Sequence, residues 1–179
     1  MMYLTAGLIC VALICLVDLL LTFGVVRRLR EHTKILSKQA SSQPAVMLLP
    51  QERVAAFEAG VDDSGSISRE SLNGPTLVGF FSPGCGACTE RLPSFVALAG
   101  SHSWHRDQVL AVVMGDEAST ATMRAELAEV ARLVDDKHVD TMVESFGVSG
   151  FPAFCLIDES GVVLASGLDV ESLSVPVAG

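Results

Sequence analysis

Two cysteines separated by two residues, Cys85 and Cys88, are the side chains whose types and spacing are best suited to chemistry in this sequence. Such a pair can form and break a disulfide by exchange with other thiols, or it can supply two of the four ligands of a structural zinc ion. The sequence contains no second Cys-x-x-Cys pair and no well-spaced His pair to complete a zinc site. We therefore predict a redox-active dithiol with no metal and no other cofactor, and an inert disulfide is the alternative.

The residues on either side of the pair predict how it is positioned. Thr76–Phe81 is a short apolar run of β-forming residues, which predicts a strand buried on both faces. After a break at residues 82–84, apolar residues at helical spacing predict a helix that begins at the dithiol. The free backbone N–H groups and the dipole at the start of a helix stabilise a thiolate. Cys85 is therefore the expected nucleophile, and Cys88, one turn further on, is the expected resolving thiol.

The sequence beyond this helix continues to alternate between strand and helix patterns. It predicts a strand at residues 109–114, a helix with apolar residues from Met123 to Val134, a short helix from Thr141, and strands near residues 153–158 and 162–165. Turn-forming residues at 62–66 predict a short hairpin upstream. This order of elements predicts an α/β fold with a mixed central sheet.

Two separate segments resemble the thioredoxin superfamily. Residues 77–88, followed by Pro93, look like the active-site strand, turn and kinked helix of that superfamily. Residues 146–154 resemble the segment around its cis-proline, and Pro152 is the match. The resemblance implies a thioredoxin-like fold, in which a mixed central sheet is flanked by helices. It also implies that Phe151 and Pro152 form a substrate-binding shelf beside the dithiol.

The resemblance covers roughly residues 50–167 and has two notable departures. Gly86-Ala87 stands between the cysteines where thioredoxins have Gly-Pro, so the redox potential does not carry over. Gly79 stands where many thioredoxins bury an acidic residue that assists proton transfer. Any such base in this chain must be another group or water. The 64 residues from Cys88 to Pro152 are more typical of the TlpA-like and MauD-like membrane-anchored group than of a minimal thioredoxin.

The N-terminal part of the chain is typical of a membrane anchor. Residues 3–26 are almost wholly apolar, and a helix of about 24 residues is roughly 36 Å long, enough to cross a hydrocarbon layer of ~30 Å. We predict a transmembrane helix at residues 3–26, a basic juxtamembrane segment and tether at 27–50, and a thioredoxin-like domain at 51–179. Asp18 lies within the apolar run and is a candidate contact for a membrane electron-donor protein.

Charge and resemblance indicate opposite orientations in the cell membrane. The basic residues near the anchor follow it, which by the positive-inside rule places the domain in the cytoplasm. MauD-like proteins have their redox domain outside the cytoplasm, and we follow that resemblance while the cytoplasmic side stays open. It implies cysteine-containing protein substrates, such as extracytoplasmic redox proteins during their maturation.

The distribution of charge argues against nucleic acid as a partner. The chain carries −9 in total, of which residues 1–43 contribute +3, so residues 44–179 carry −12. An acidic domain repels phosphate backbones, and the sequence has no basic stripe to neutralise them.

Two other functions are compatible with the same fold. Peroxiredoxins share it, but their Thr-x-x-Cys motif is absent before Cys85, which disfavours a thiol peroxidase. A non-catalytic binding module could use the thioredoxin groove to hold a partner without turnover. Cys155, in a predicted buried strand, is expected to be a packed apolar residue rather than a third redox thiol.

Overall fold

The computed structural model describes residues 45–62, 65–101 and 103–173. The predicted transmembrane helix at residues 3–26 and the tether up to residue 44 lie outside these ranges and stay predictions. Within the described ranges, no helix combines the length and the apolar character that crossing a bilayer requires.

A mixed sheet forms the centre of the fold. The strands of the described ranges are β1 (Glu58–Val61), β2 (Gly65–Ser68), β3 (Thr76–Phe81), β4 (Val109–Val113), β5 (Arg132–Leu133), β6 (Ala153–Ile157) and β7 (Val163–Gly167). The α-helices are α1 (Gly86–Ala99), α2 (Glu117–Ala128) and α3 (Val139–Ser145). Strands β1 and β2 form a separate antiparallel hairpin. The other five strands form one sheet in the order β5-β4-β3-β6-β7, with β3, β4 and β5 parallel and β6 and β7 in antiparallel pairings.

Strand β3 lies at the centre of this sheet and has core on both faces. All six of its residues are buried, as its apolar sequence predicts. Because successive side chains of a strand point to opposite faces, Phe80 joins the core cluster on one face and Phe81 joins the cluster on the other. Helix α1, through Phe95, and helix α2, through Leu127, cover the Phe81 face. The helix that carries the dithiol is therefore held against the strand that precedes it.

The strands predicted for the sheet are confirmed, but the second predicted helix is wrong in its extent. Asp116 caps α2 by accepting a hydrogen bond from the backbone N–H of Ser119 at 2.9 Å, and the helix ends at Ala128. Ala131 and Val134, which the helical spacing assigns to this helix, lie beyond it and flank β5. Both are fully buried at the edge of the sheet. An apolar spacing that fits a helix also fits this buried turn and strand, so the pattern alone does not separate them.

Candidate active site

Cys85 lies at the N-terminal end of α1, after the loop that leaves β3. It is the N-cap residue: its Sγ accepts a hydrogen bond from the backbone N–H of Cys88 at 3.4 Å, and its carbonyl accepts one from Thr89 at 3.2 Å. Gly84 precedes it with φ +77°, a left-handed conformation that glycine adopts without strain. The loop and the first turn of the helix thus direct a backbone donor at the Cys85 sulfur.

The two thiols have different environments. Cys85 is partly exposed, and its pKa is lowered chiefly by a hydrogen bond with the Cys88 thiol, and further by the backbone N–H groups of Cys88 and Ala87. Cys88 is fully buried, and burial raises the pKa of its thiol to about 12, with the hydrogen bond to Cys85 as the second cause. Of the two thiols, the exposed one therefore ionises first as the pH rises.

A loop that leads into β6 faces Cys85. The peptide bond between Phe151 and Pro152 is cis, as the resemblance implies for this segment. The Cys85 thiol donates a hydrogen bond to the Phe151 carbonyl oxygen at 3.5 Å. The structure thus brings together the four residues that the sequence selects, Cys85, Cys88, Phe151 and Pro152, while their roles stay predictions.

The sequence analysis missed Arg91, a cation on α1 whose charge affects the pKa of the dithiol. The Arg91 guanidinium pairs with the Asp169 carboxylate, and its positive charge makes a smaller contribution that lowers the pKa of both cysteines. Arg91 lies three residues after Cys88, so helical periodicity could have placed its charge on this part of the helix. Asp169 is 78 residues away in sequence, so only the tertiary fold reveals the pairing.

An aromatic ring fills the place where the resemblance would put a buried acid. A Cβ atom on Gly79 would lie 2.7 Å from Cε2 of Phe95 and 2.9 Å from Cε2 of Phe81, closer than side chains approach each other. The Phe95 ring stacks on Phe154 with centroids 5.6 Å apart, and its centroid lies 5.3 Å from that of Phe81 in an edge-on contact. Cys88 packs in the same apolar cluster. Position 79 therefore has no room for a carboxylate that could take the proton of Cys88.

Cys155, the third cysteine of the described ranges, lies apart from the dithiol. Cys155 is fully buried in β6 and belongs to the core cluster on the Phe80 face of the sheet, whereas Cys88 belongs to the cluster on the opposite face. Burial raises the pKa of the Cys155 thiol, which fits a packed apolar residue. In the described ranges, no group of three or more His, Cys, Asp and Glu side chains is placed to hold a metal ion.

Gly115 packs against the loop that carries the dithiol. Its φ is +148°, and a Cβ atom there would lie 2.7 Å from Cγ of Pro83 and 3.0 Å from Cγ2 of Thr120. Gly115→Ala should therefore displace Pro83 and lower the free energy of unfolding by about 1–3 kcal/mol, measured by urea denaturation. Gly65→Ala is the matched control, because Gly65 also has a positive φ but a Cβ there meets nothing within 4 Å. Equal losses in the two variants would mean that backbone strain, and not contact with Pro83, sets the cost.

Comparison with solved structures identifies the fold. The chain resembles the thioredoxin domain of a thiol-disulfide oxidoreductase from Bacteroides vulgatus, with a TM-score of 0.55, 20% identity, and coverage of 70% of this chain and 93% of that one. A thio-disulfide isomerase from Thermus thermophilus matches with a TM-score of 0.55 and 15% identity over 68% and 87% of the two chains. A putative thioredoxin from Neisseria meningitidis matches with a TM-score of 0.51 and 21% identity over 68% and 81%.

Comparisons of the sequence give no match. No protein-family model matches the chain, and no curated protein matches it in sequence. Because the identities to the solved structures are low, these likenesses establish the architecture alone. The described part of the chain has the thioredoxin fold.

Proposed function

We propose that this protein is a membrane-anchored thiol-disulfide oxidoreductase that exchanges disulfides with protein substrates through Cys85 and Cys88. The observation that carries the proposal is the difference between the two thiols: Cys85 is partly exposed with a lowered pKa, and Cys88 is buried with a raised one. Two-step disulfide exchange requires a thiolate at the surface and a second thiol behind it. The structural neighbour from Bacteroides vulgatus is a domain of a thiol-disulfide oxidoreductase, and this likeness supports the same activity.

The first step uses the Cys85 thiolate. It attacks one sulfur of a substrate disulfide, and the substrate S–S bond breaks. The second substrate sulfur leaves as a thiolate and takes a proton from water. The product is a mixed disulfide between Cys85 and the substrate.

The second step releases the substrate. Cys88 loses its proton and attacks the Cys85 sulfur, which breaks the mixed disulfide. Because the side chains around position 79 leave no room for a carboxylate, we assign the proton of Cys88 to the departing substrate sulfur. The substrate has then gained two electrons, and the protein holds a Cys85–Cys88 disulfide. The same steps in reverse would oxidise a substrate dithiol, so the redox potential decides the direction.

The loop at Phe151 and Pro152 is the proposed substrate shelf. The Phe151 carbonyl oxygen lies 3.5 Å from the Cys85 sulfur. A substrate chain that lies along this loop would present its own sulfur within reach of Cys85. In this role the two residues orient the substrate and take no part in the exchange of electrons.

The cellular setting of the proposal comes from the sequence. Residues 3–26 would anchor the protein in the cell membrane, with the redox domain outside the cytoplasm and cysteine-containing proteins as substrates. A reducing role outside the cytoplasm would require electrons from a membrane protein, with Asp18 as a candidate contact. An activity reporter fused after Gly179 tests this orientation. We expect a reporter that works only outside the cytoplasm to be active, and a signal only from a cytoplasmic reporter would contradict the orientation.

Reduction of insulin disulfides by the full-length protein tests the activity. We expect turnover with dithiothreitol as electron source, together with a reversible two-electron couple in equilibrium with glutathione. Cys155→Ser should retain both properties because Cys155 lies on the other face of the sheet, whereas Cys85→Ser should lose both. A wild-type protein with neither turnover nor a reversible couple would be a non-catalytic binding module.

A further inference from the structure

Arg132, in the edge strand β5, differs from the other cations of the described ranges. Six of the seven Lys and Arg side chains there have a carboxylate or carbonyl oxygen as partner: Arg53, Arg69, Arg91, Arg106, Arg124 and Lys137. The Nε atom of Arg132 is buried and has no hydrogen-bond partner. In these same ranges, the Arg132 guanidinium is thus a charged donor group without an acceptor.

A buried donor without an acceptor is costly. Such a group has lost its hydrogen bonds to water and gained none in the protein, and the loss is larger when the group is charged. Burial lowers the pKa of the Arg132 guanidinium, against the smaller opposing effect of the Asp107 charge. The surroundings therefore disfavour the cation, and an acceptor at the terminal nitrogens of the guanidinium would stabilise it.

Space for such an acceptor lies next to Arg132. A cavity of about 340 Å³ is lined by Arg132 together with Asn73, Thr76, Asp107 and Gln108, and we call it the Arg132 pocket. The hydroxyl of Thr76 and the amide of Gln108 already donate to the carbonyl oxygens of Gly74 and Pro75. Arg132, Asn73 and the second N–H of the Gln108 amide are the side-chain donors left for a ligand.

The Arg132 pocket is remote from the dithiol. Thr76 begins β3, and Gln108 directly precedes β4, so the pocket lies at the N-terminal ends of these two parallel strands. Cys85 follows the opposite end of β3, which at ~3.3 Å per residue is roughly 17 Å away along the strand. Occupancy of this pocket is therefore a property separate from the redox chemistry.

We propose that the Arg132 pocket binds a carboxylate, which accepts hydrogen bonds from the two terminal nitrogens of Arg132 and from the Asn73 amide. A planar carboxylate matches the fork of a guanidinium with two parallel hydrogen bonds. The Asp107 carboxylate on the lining, and the −12 charge of residues 44–179, penalise a dianion such as phosphate more than a monoanion. The carboxylate belongs to a small organic acid or to the C-terminus of a peptide.

Calorimetric titration of the full-length protein in detergent with sodium acetate tests the proposal, at constant ionic strength kept with sodium chloride. We expect saturable binding of acetate that is tighter than binding of inorganic phosphate. Arg132→Gln should weaken acetate binding by about tenfold or more, through the loss of hydrogen bonds to a charged group. Arg53→Gln is the matched control, because Arg53 bonds the Ser160 carbonyl outside the pocket and its loss should leave acetate binding unchanged.

A second variant keeps the test informative if Arg132→Gln fails to fold. Arg132→Lys keeps the positive charge but removes the paired donors, so it should also weaken acetate binding. Titration with acetyl-dialanine, with either a free or an amidated C-terminus, distinguishes a peptide C-terminus from a small organic acid. Tighter binding of the free acid than of acetate indicates a peptide end, whereas equal binding indicates a small acid, and both support the site. No saturable binding, equal binding by Arg132→Gln and wild type, or tighter binding of phosphate would overturn the proposal.

Discussion

Cys88→Ser should accumulate mixed disulfides with substrate proteins, and Cys85→Ser should accumulate none. Without the Cys88 thiol, the second step of exchange cannot occur, and the covalent complex at Cys85 persists. Without Cys85, the remaining thiol of the pair, Cys88, is fully buried and has a raised pKa, so it neither reaches a substrate nor ionises near neutral pH. Non-reducing gels of the full-length variants, followed by mass spectrometry of the bands that reducing agent removes, measure the trapped complexes.

The matched control for this trapping experiment is Cys155→Ser. Cys155 is a third cysteine of the described ranges, and it lies in the core on the other face of the sheet from Cys88. Its loss should leave the mixed disulfides of a Cys88→Ser background unchanged. Equal trapping by Cys85→Ser and Cys88→Ser would reverse the assigned roles or show that the two thiols are equivalent.

Gly79→Asp should destabilise the protein severely, although it restores the acid that the resemblance would place there. The new Cβ would lie 2.7 Å from the Phe95 ring and 2.9 Å from the Phe81 ring, and the carboxylate would be buried among these rings. Overpacking and an unpaired buried polar group together should lower the free energy of unfolding by about 4 kcal/mol or more. Urea denaturation of the reduced proteins measures the loss.

Gly86→Ala serves as the control for this substitution. Gly86 is also close to the dithiol, but a Cβ there meets nothing within 4 Å, and the position is the first of α1. An alanine should therefore leave the free energy of unfolding unchanged or raise it slightly. A Gly79→Asp protein as stable as wild type would show that the Phe95 ring leaves its place easily, and the assignment of the Cys88 proton would need revision.

The parts of the fold that the sequence predicts are those with strong local signals. Thr76–Phe81 is a continuous apolar run, and the structure has a strand with those bounds. Helix α2 has no comparable signal, because Ala131 and Val134 are buried by the edge of the sheet and their spacing imitates a helical face. In the structure, the helix begins at Glu117, after the Asp116 cap.

The candidate site shows the same division between local and tertiary information. Cys85, Cys88 and Pro152 stand in motifs that can be read from the sequence. The Arg91–Asp169 pair joins residues 78 positions apart, and no local pattern announces it. The absence of an acid at position 79 is visible in the sequence, but that the Phe95 ring occupies the space follows only from how α1 packs on β3.

The pH dependence of alkylation at each cysteine tests the central claim most directly. In the reduced full-length protein, with peptides resolved by mass spectrometry, iodoacetamide should modify Cys85 with a rate that rises through a pKa below the ordinary cysteine value. Cys88, whose pKa is raised to about 12 by burial, should remain unmodified throughout the neutral range. Modification of Cys85 only at the pH of an ordinary thiol, or of Cys88 before Cys85, would contradict the account.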